Sequence, residues 1–184
     1  MPRQSPARQQ GGAGEAEATG ANPTDRSKAG SKRHTLTEGR GLPIATILSG
    51  ANRTDRKQLA ALLDAKVLEA PPPRPEPDGP GPGRHLSLDR GYDYDECREA
   101  ALARGYTVHI PPPRGAERPA PPPGDPARHP ARRWVVEVAH SWFNRFRRLL
   151  TRWEKQADTY LGFVQLAACL IIYRKLRHAR ALSG

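Results

Sequence analysis

RHLSLDRGYDYDECREAALARGYTVHI, residues 84–110, holds a strand, a helix and a second strand in one short run. Leu86 and Leu88 alternate with polar neighbours, as in a strand with one buried face, and Asp89 ends it. After a turn at Gly91, the segment 93–105 has the acidic first turn and the terminal glycine, Gly105, that mark a helix. TVHI then reads as a strand. Strand, helix and strand in this order predict an α/β fold with a helical crossover.

The same alternation extends upstream. HTLTEG and PIATILSG form two β-rich runs joined through Gly39, Arg40 and Gly41, a hairpin signature. In residues 51–70, Thr54 or Asp55 can cap a helix, and Leu59, Leu62, Leu63 and Val67 supply its apolar stripe until prolines end it. Downstream, RWVVEVAHSWFNRFRRLLTRWEK (133–155) projects as one amphipathic helix. Trp134, Val138, Trp142, Leu149 and Trp153 gather on its apolar side, so Trp142 and Trp153 are expected in the core. A last helix over roughly 157–178 is expected to pack through Leu161, Val164, Leu170 and Ile171.

Composition limits what this core can be. The chain has 184 residues, 20 Pro and 17 Gly, with 36% hydrophobic residues, so the ordered domain is smaller than the chain. Residues 1–33 carry no apolar periodicity and are expected to be disordered and basic. The domain is expected over 34–178, with Pro-rich insertions at 70–83 and 111–131 and a tail at 179–184. The longest apolar run, Tyr160 to Tyr173, reads as a buried helix too short to span a bilayer, and no membrane partner is expected. The N-terminus lacks a secretory pattern, which predicts a cytoplasmic protein. Cys97 and Cys169 have no metal-ligand spacing and are expected to be reduced structural thiols.

Lys and Arg total 30 against 19 acidic residues, a net charge of +11, which favours a polyanionic partner such as nucleic acid. Arg145, Arg147, Arg148 and Arg152, interleaved with Trp142, Phe143 and Phe146, can neutralise phosphates; a solvated helix face is the plainer reading. Two carboxylates stand out against this background. Glu137 lies on the polar side of its helix, where an ion pair with Arg133 would contribute about 0.2–0.5 kcal/mol. Asp89 sits at a strand end before a Gly turn, a place suited both to local capping and to catalysis. A strand-end Asp and a helical Glu beside arginines suit metal-assisted phosphodiester chemistry, in which carboxylates hold Mg2+.

The stretches GANPTDRSKAGSKRHTLTEGRGLPIA, LSGANRTDRKQLAALLDA, LDRGYD and RWVVE…HSWFNRFRRLLTRWEK resemble bacterial insertion-sequence transposases of the DDE class, from about residue 18 to 178. The resemblance implies a ribonuclease-H-like fold in which two Asp and one Glu bind Mg2+ or Mn2+ for DNA strand cleavage and transfer. By position, the second Asp is Asp89 and the Glu is Glu137, with Arg133 matching an Arg of the family. It also implies DNA as partner and a bacterial, nucleoid-associated location.

This sequence departs from the family in several places. Residues 1–17 contain no Asp, so the first carboxylate and its central strand are expected to be missing, leaving neighbouring strand edges exposed. Glu15, Glu17 and Asp25 read as solvated loop charges. Val138-Ala139 replaces the family's Arg-Thr, and no helix-turn-helix precedes the hairpin. Two acidic ligands predict weak metal binding and little activity of the chain alone. An upstream-frame polypeptide or a full-length transposase would then be a partner. The alternative is a non-catalytic basic DNA-binding protein, and a third reading is a basic amphipathic helix at membranes.

Overall fold

The β-α-β run of residues 84–110 folds as its pattern dictates. In the computed structural model, which describes residues 18–22, 28–66, 84–111 and 134–181, it forms strand β4 (Arg84–Ser87), helix α2 (Asp95–Leu102) and strand β5 (Tyr106–His109). β4 and β5 pair in parallel, with Leu86 opposite Val108, which is the arrangement a helical crossover permits. Leu86 and Leu88 are buried, and Cys97 and Ala101 bury the facing side of α2. Gly105 ends the helical region with φ +74°, a conformation that suits glycine.

The hairpin is also present. Strand β2 (Ala29–Thr37) pairs antiparallel with β3 (Pro43–Gly50), and a short β1 (Gly20–Ala21) adds to β2 at Ala29 and Gly30. The turn is held by Glu38, whose Oε1 accepts from the backbone N–H of Arg40 at 2.7 Å and of Leu42 at 3.0 Å. Gly41 occupies φ +90°, and a Cβ there would meet the Val135 carbonyl at 3.3 Å. β1 and the first part of β2 lie within the segment expected to be disordered. The strand ladder there continues past the apolar residues, because backbone pairing to β3 and β1 needs no apolar side chain.

Between hairpin and β4 the expected helix forms in two pieces, a 3-10 turn (Asp55–Gln58) and helix α1 (Leu59–Asp64). Leu59, Leu62 and Leu63 are buried as expected. Val67 lies outside the described residues, as do the two Pro-rich insertions. Thr54 stands at the N-terminal boundary without a side-chain capping hydrogen bond.

The stretch 133–155 is not one helix. Helix α3 (Trp134–Phe143) stops at Asn144, the chain turns through Phe146 in extended geometry, and a single helical turn α4 (Arg147–Leu150) follows. Its buried stripe is Val135, Ala139 and Phe143, with Leu149 buried after the break. Trp134 and Trp153 are 61% and 74% exposed, so the expected tryptophan stripe is corrected. A helical projection carried through Asn144 misplaces Trp153 beyond the break, whereas Leu149 is buried as projected. Helix α5 (Ala157–Ala181) buries Tyr160, Val164, Ala167 and Ile171, whereas Leu170 is exposed. By length and composition alone, the segment Ala157–Ala179 is apolar enough to cross a membrane, a test that core helices of soluble proteins also pass; 22% of its apolar window is buried here. Cys97 is buried and Cys169 is exposed, and both are free thiols.

The two helical groups pack on opposite sides of the β2–β3 hairpin. One core joins α1, α2, β4 and β5 through Leu59, Leu63, Leu86, Leu88, Cys97 and Tyr106, with Leu36 of β2 against it. The second joins Phe143, Leu149, Tyr160, Val164 and Ile171, with Leu42 and Leu48 of the hairpin. The described strands therefore form two sheets, one of three strands and one of two, within a mixed α/β fold.

Candidate carboxylate site and basic surface

Asp89 follows the last residues of β4, where the chain leaves the sheet for a 3-10 turn, Arg90–Tyr92. Its Oδ1 accepts from the Gly91 N–H at 2.8 Å, so one carboxylate oxygen serves the turn, while the side chain as a whole stays exposed. Its charge reaches the Tyr92 phenol, whose pKa is raised by burial first and then by Asp55 and Asp89.

Glu137 is exposed in the first turn of α3, where a carboxylate faces the positive end of the helix dipole. Three residues on, His140 is held below the ordinary imidazole range by burial and by Arg33, and Glu137 opposes that shift. Arg133, the expected partner of Glu137, lies outside the described residues.

A cavity of about 450 Å³ connects these elements. Asp89 lies on its lining, as do His85 to Leu88 of the β4 segment, Lys32 to Gly39 along β2, Leu59 and Leu62 of α1, and Val135, Val136 and His140 of α3. Glu137 is adjacent in sequence to Val136 but is not part of the lining. On one wall, buried His34 bonds Ser49 Oγ through Nε2 at 2.7 Å, and burial lowers its pKa. On the other, Arg33 donates from Nη2 to Asn144 Oδ1 at 3.1 Å and lies 5.7 Å from the centre of the Phe143 ring.

Oxygen donors suit Mg2+, and Asp89 and Glu137 are of the right type. Yet among the described residues no three His, Cys, Asp or Glu side chains come together to hold a metal ion.

The predicted arginines separate into different environments. Arg145 and Arg147 are exposed. Arg148 is tied to Glu154 at 2.7 Å. Arg152 is spent inside the fold: it donates to Ser31 Oγ at 2.6 Å and to the carbonyls of Glu154 and Lys155 at 2.8 and 3.1 Å, and lies over the Tyr160 ring. Sequence reasoning missed the other half of the basic surface. Arg145 shares a groove of about 530 Å³ with Arg174, Lys175, Arg177 and His178 near the end of α5, where Lys175 Nζ sits 4.3 Å over Trp142. The cluster RKLRH at 174–178 was the available signal.

Comparison with known proteins agrees with this architecture. The family described as Transposase DDE domain matches residues 5–172. The chain is 41% identical over 162 residues to a protein of Burkholderia cepacia named as transposase for insertion sequence element IS402, covering 88% of this chain and 71% of that relative. No solved structure matches it. The chain belongs to the DDE transposases of insertion sequences.

Proposed function

We propose that this chain contributes Asp89 and Glu137 to a divalent-metal site for DNA strand cleavage and transfer at the ends of an insertion sequence. The observation that carries the reading is that Asp89 and the first turns of α3, which bear Glu137, border one cavity. The finer fold is ribonuclease-H-like, with β4 presenting the Asp and α3 presenting the Glu. When bound, Mg2+ or Mn2+ supplies charge stabilisation at the reacting phosphate. The residues of this chain position the ligands, and Arg145, Arg147 and the α5 cations hold DNA phosphates, each such contact steepening the log–log salt dependence by about 0.9. Because the ligand set is incomplete, the chain by itself is inactive, and its location is the bacterial cytoplasm near the nucleoid.

The competing reading is a DNA-binding protein without catalysis, favoured by Asp89 serving as a turn cap. Strand transfer from an oligonucleotide carrying the element's end separates the two. The chain alone should transfer nothing in Mg2+, whereas a chimera preceded by an Asp-bearing upstream transposase segment should be active. Asp89→Asn and Glu137→Gln should each abolish that activity. Intact transfer by both variants would leave these residues structural.

A further inference from the structure

The groove between the end of α3 and the last turns of α5 has a floor and a rim of different chemistry. The floor is apolar: Trp142 and Phe146 are half-buried against the second core, and Ile171 is buried within it. The rim carries Arg145, Arg174, Lys175, Arg177 and His178, each exposed. Among the described residues no carboxylate lines this groove, so the Arg and Lys charges of the rim stand around it with no negative charge between them. A rim of this kind attracts an anion, and an aromatic floor beneath it adds a second requirement.

Trp142 is anchored at one edge and covered on one face. A Cβ at Gly41, in the hairpin turn, would lie 3.7 Å from Trp142 Cη2, so the outer edge of the ring rests against that turn. Lys175 Nζ lies 4.3 Å from the ring centre. The cover is thus an exposed ammonium on a flexible stem, and a planar base stacks on an indole more strongly than such a cation does. Once displaced, Lys175 joins the guanidinium groups around the phosphate that the base brings with it. The volume of about 530 Å³ lies within the range of small-ligand pockets. A duplex, whose bases are stacked inside, presents phosphates to the rim alone, and so does a carboxylate-bearing peptide. An unpaired nucleotide meets both rim and floor.

We propose that this groove binds an unpaired nucleotide of a single-stranded DNA segment, its base stacked on Trp142 in exchange for Lys175 and its phosphates held by the cations of the rim. The inference rests on the reading that Arg145 and the α5 cations hold DNA phosphates. It adds a base contact to that reading, and with it a preference for single strand over duplex at this end of the molecule. Asp89, Glu137 and the cavity beside them play no part in it.

The test uses the full chain carrying Trp134→Phe and Trp153→Phe, both at exposed positions, which leaves Trp142 as the remaining tryptophan. Its emission is titrated at one salt concentration with an oligothymidylate of about six nucleotides, an abasic chain bearing the same number of phosphates, and a blunt duplex. Saturable quenching by the oligothymidylate is expected, with an affinity about 5- to 150-fold above that of the abasic chain. The abasic chain and the duplex should bind through charge, with affinity that falls as salt rises, and without quenching. In the otherwise wild-type chain, Trp142→Leu should bring the oligothymidylate down to the abasic level, and Trp142→Phe should restore most of the gap. Equal affinity for the oligothymidylate and the abasic chain, or saturation without quenching, would overturn the stacked base and leave the phosphate contacts standing. Absence of salt-dependent binding by all three probes would overturn both readings, so the two failures are distinguishable. Quenching of the same depth by a glutamate-rich peptide would also overturn the proposal and assign the groove to an acidic protein.

Discussion

The two hydrophobic cores on either side of the hairpin were written into the sequence in different ways. The core around Leu63, Leu86, Leu88, Cys97 and Ala101 is built by short elements whose alternation or helical stripe matches one element at a time. The core around Phe143, Leu149, Tyr160 and Val164 is built across a break, because α3 ends at Asn144 and α4 begins at Arg147. No proline or glycine announces that break. Asn144 instead accepts from Arg33 of β2, a contact 111 residues away in sequence, and Phe146 adopts extended geometry. Local pattern thus predicts packing well only where the element itself is local.

The sharpest contrast lies between Phe143 and Trp153. Phe143 is fully buried, and Phe143→Ala should destabilise by about 3–5 kcal/mol in denaturant titration. Leu63→Ala should cost about 2–5 kcal/mol in the other core, since Leu63 is 1% exposed. If the two cores unfold as one cooperative unit, both variants shift a single transition. Separate transitions would show that the hairpin does not couple them.

Arg152→Ala should cost about 1–3 kcal/mol, because its bonds to Ser31 and to the Glu154 and Lys155 carbonyls tie the segment after α4 to β2. A loss of DNA affinity without loss of stability would contradict that assignment. The response to acid is a further point of difference. His34 and His140 both have lowered pKa values, chiefly by burial, so the unfolded chain binds their protons more readily. Their contribution is present above the unfolded imidazole pKa of about 6.5 and is lost as pH falls through the folded values. Stability should therefore decline below about pH 6.5, and His34→Gln should flatten part of that decline in thermal melts. The smallest effect belongs to Trp153→Ser, within about 0.5 kcal/mol, because that side chain is 74% exposed.

The same division governs the site. The position of Asp89 after a strand was legible because a strand, an Asp and a Gly turn are adjacent in sequence, although β4 already ends at Ser87. Glu137 was legible as a polar position of a helix, although the tryptophans around it were misread. The cavity lined by β2 and the β4 segment was not legible in detail. It depends on which edge of β2 remains open, and that follows from long-range pairing of Ser31–Thr37 with β3. The basic groove was half legible, since Arg145 and the α5 cations come together only through the packing of α3 on α5.

The most direct measurement is Mn2+ affinity by electron paramagnetic resonance for the wild type, Asp89→Asn, Glu137→Gln and the double variant. A shared site predicts weak binding in the wild type, a loss in each single variant, and no further loss in the double variant. Equal affinity in all four proteins would contradict the assignment of Asp89 and Glu137 to one metal site.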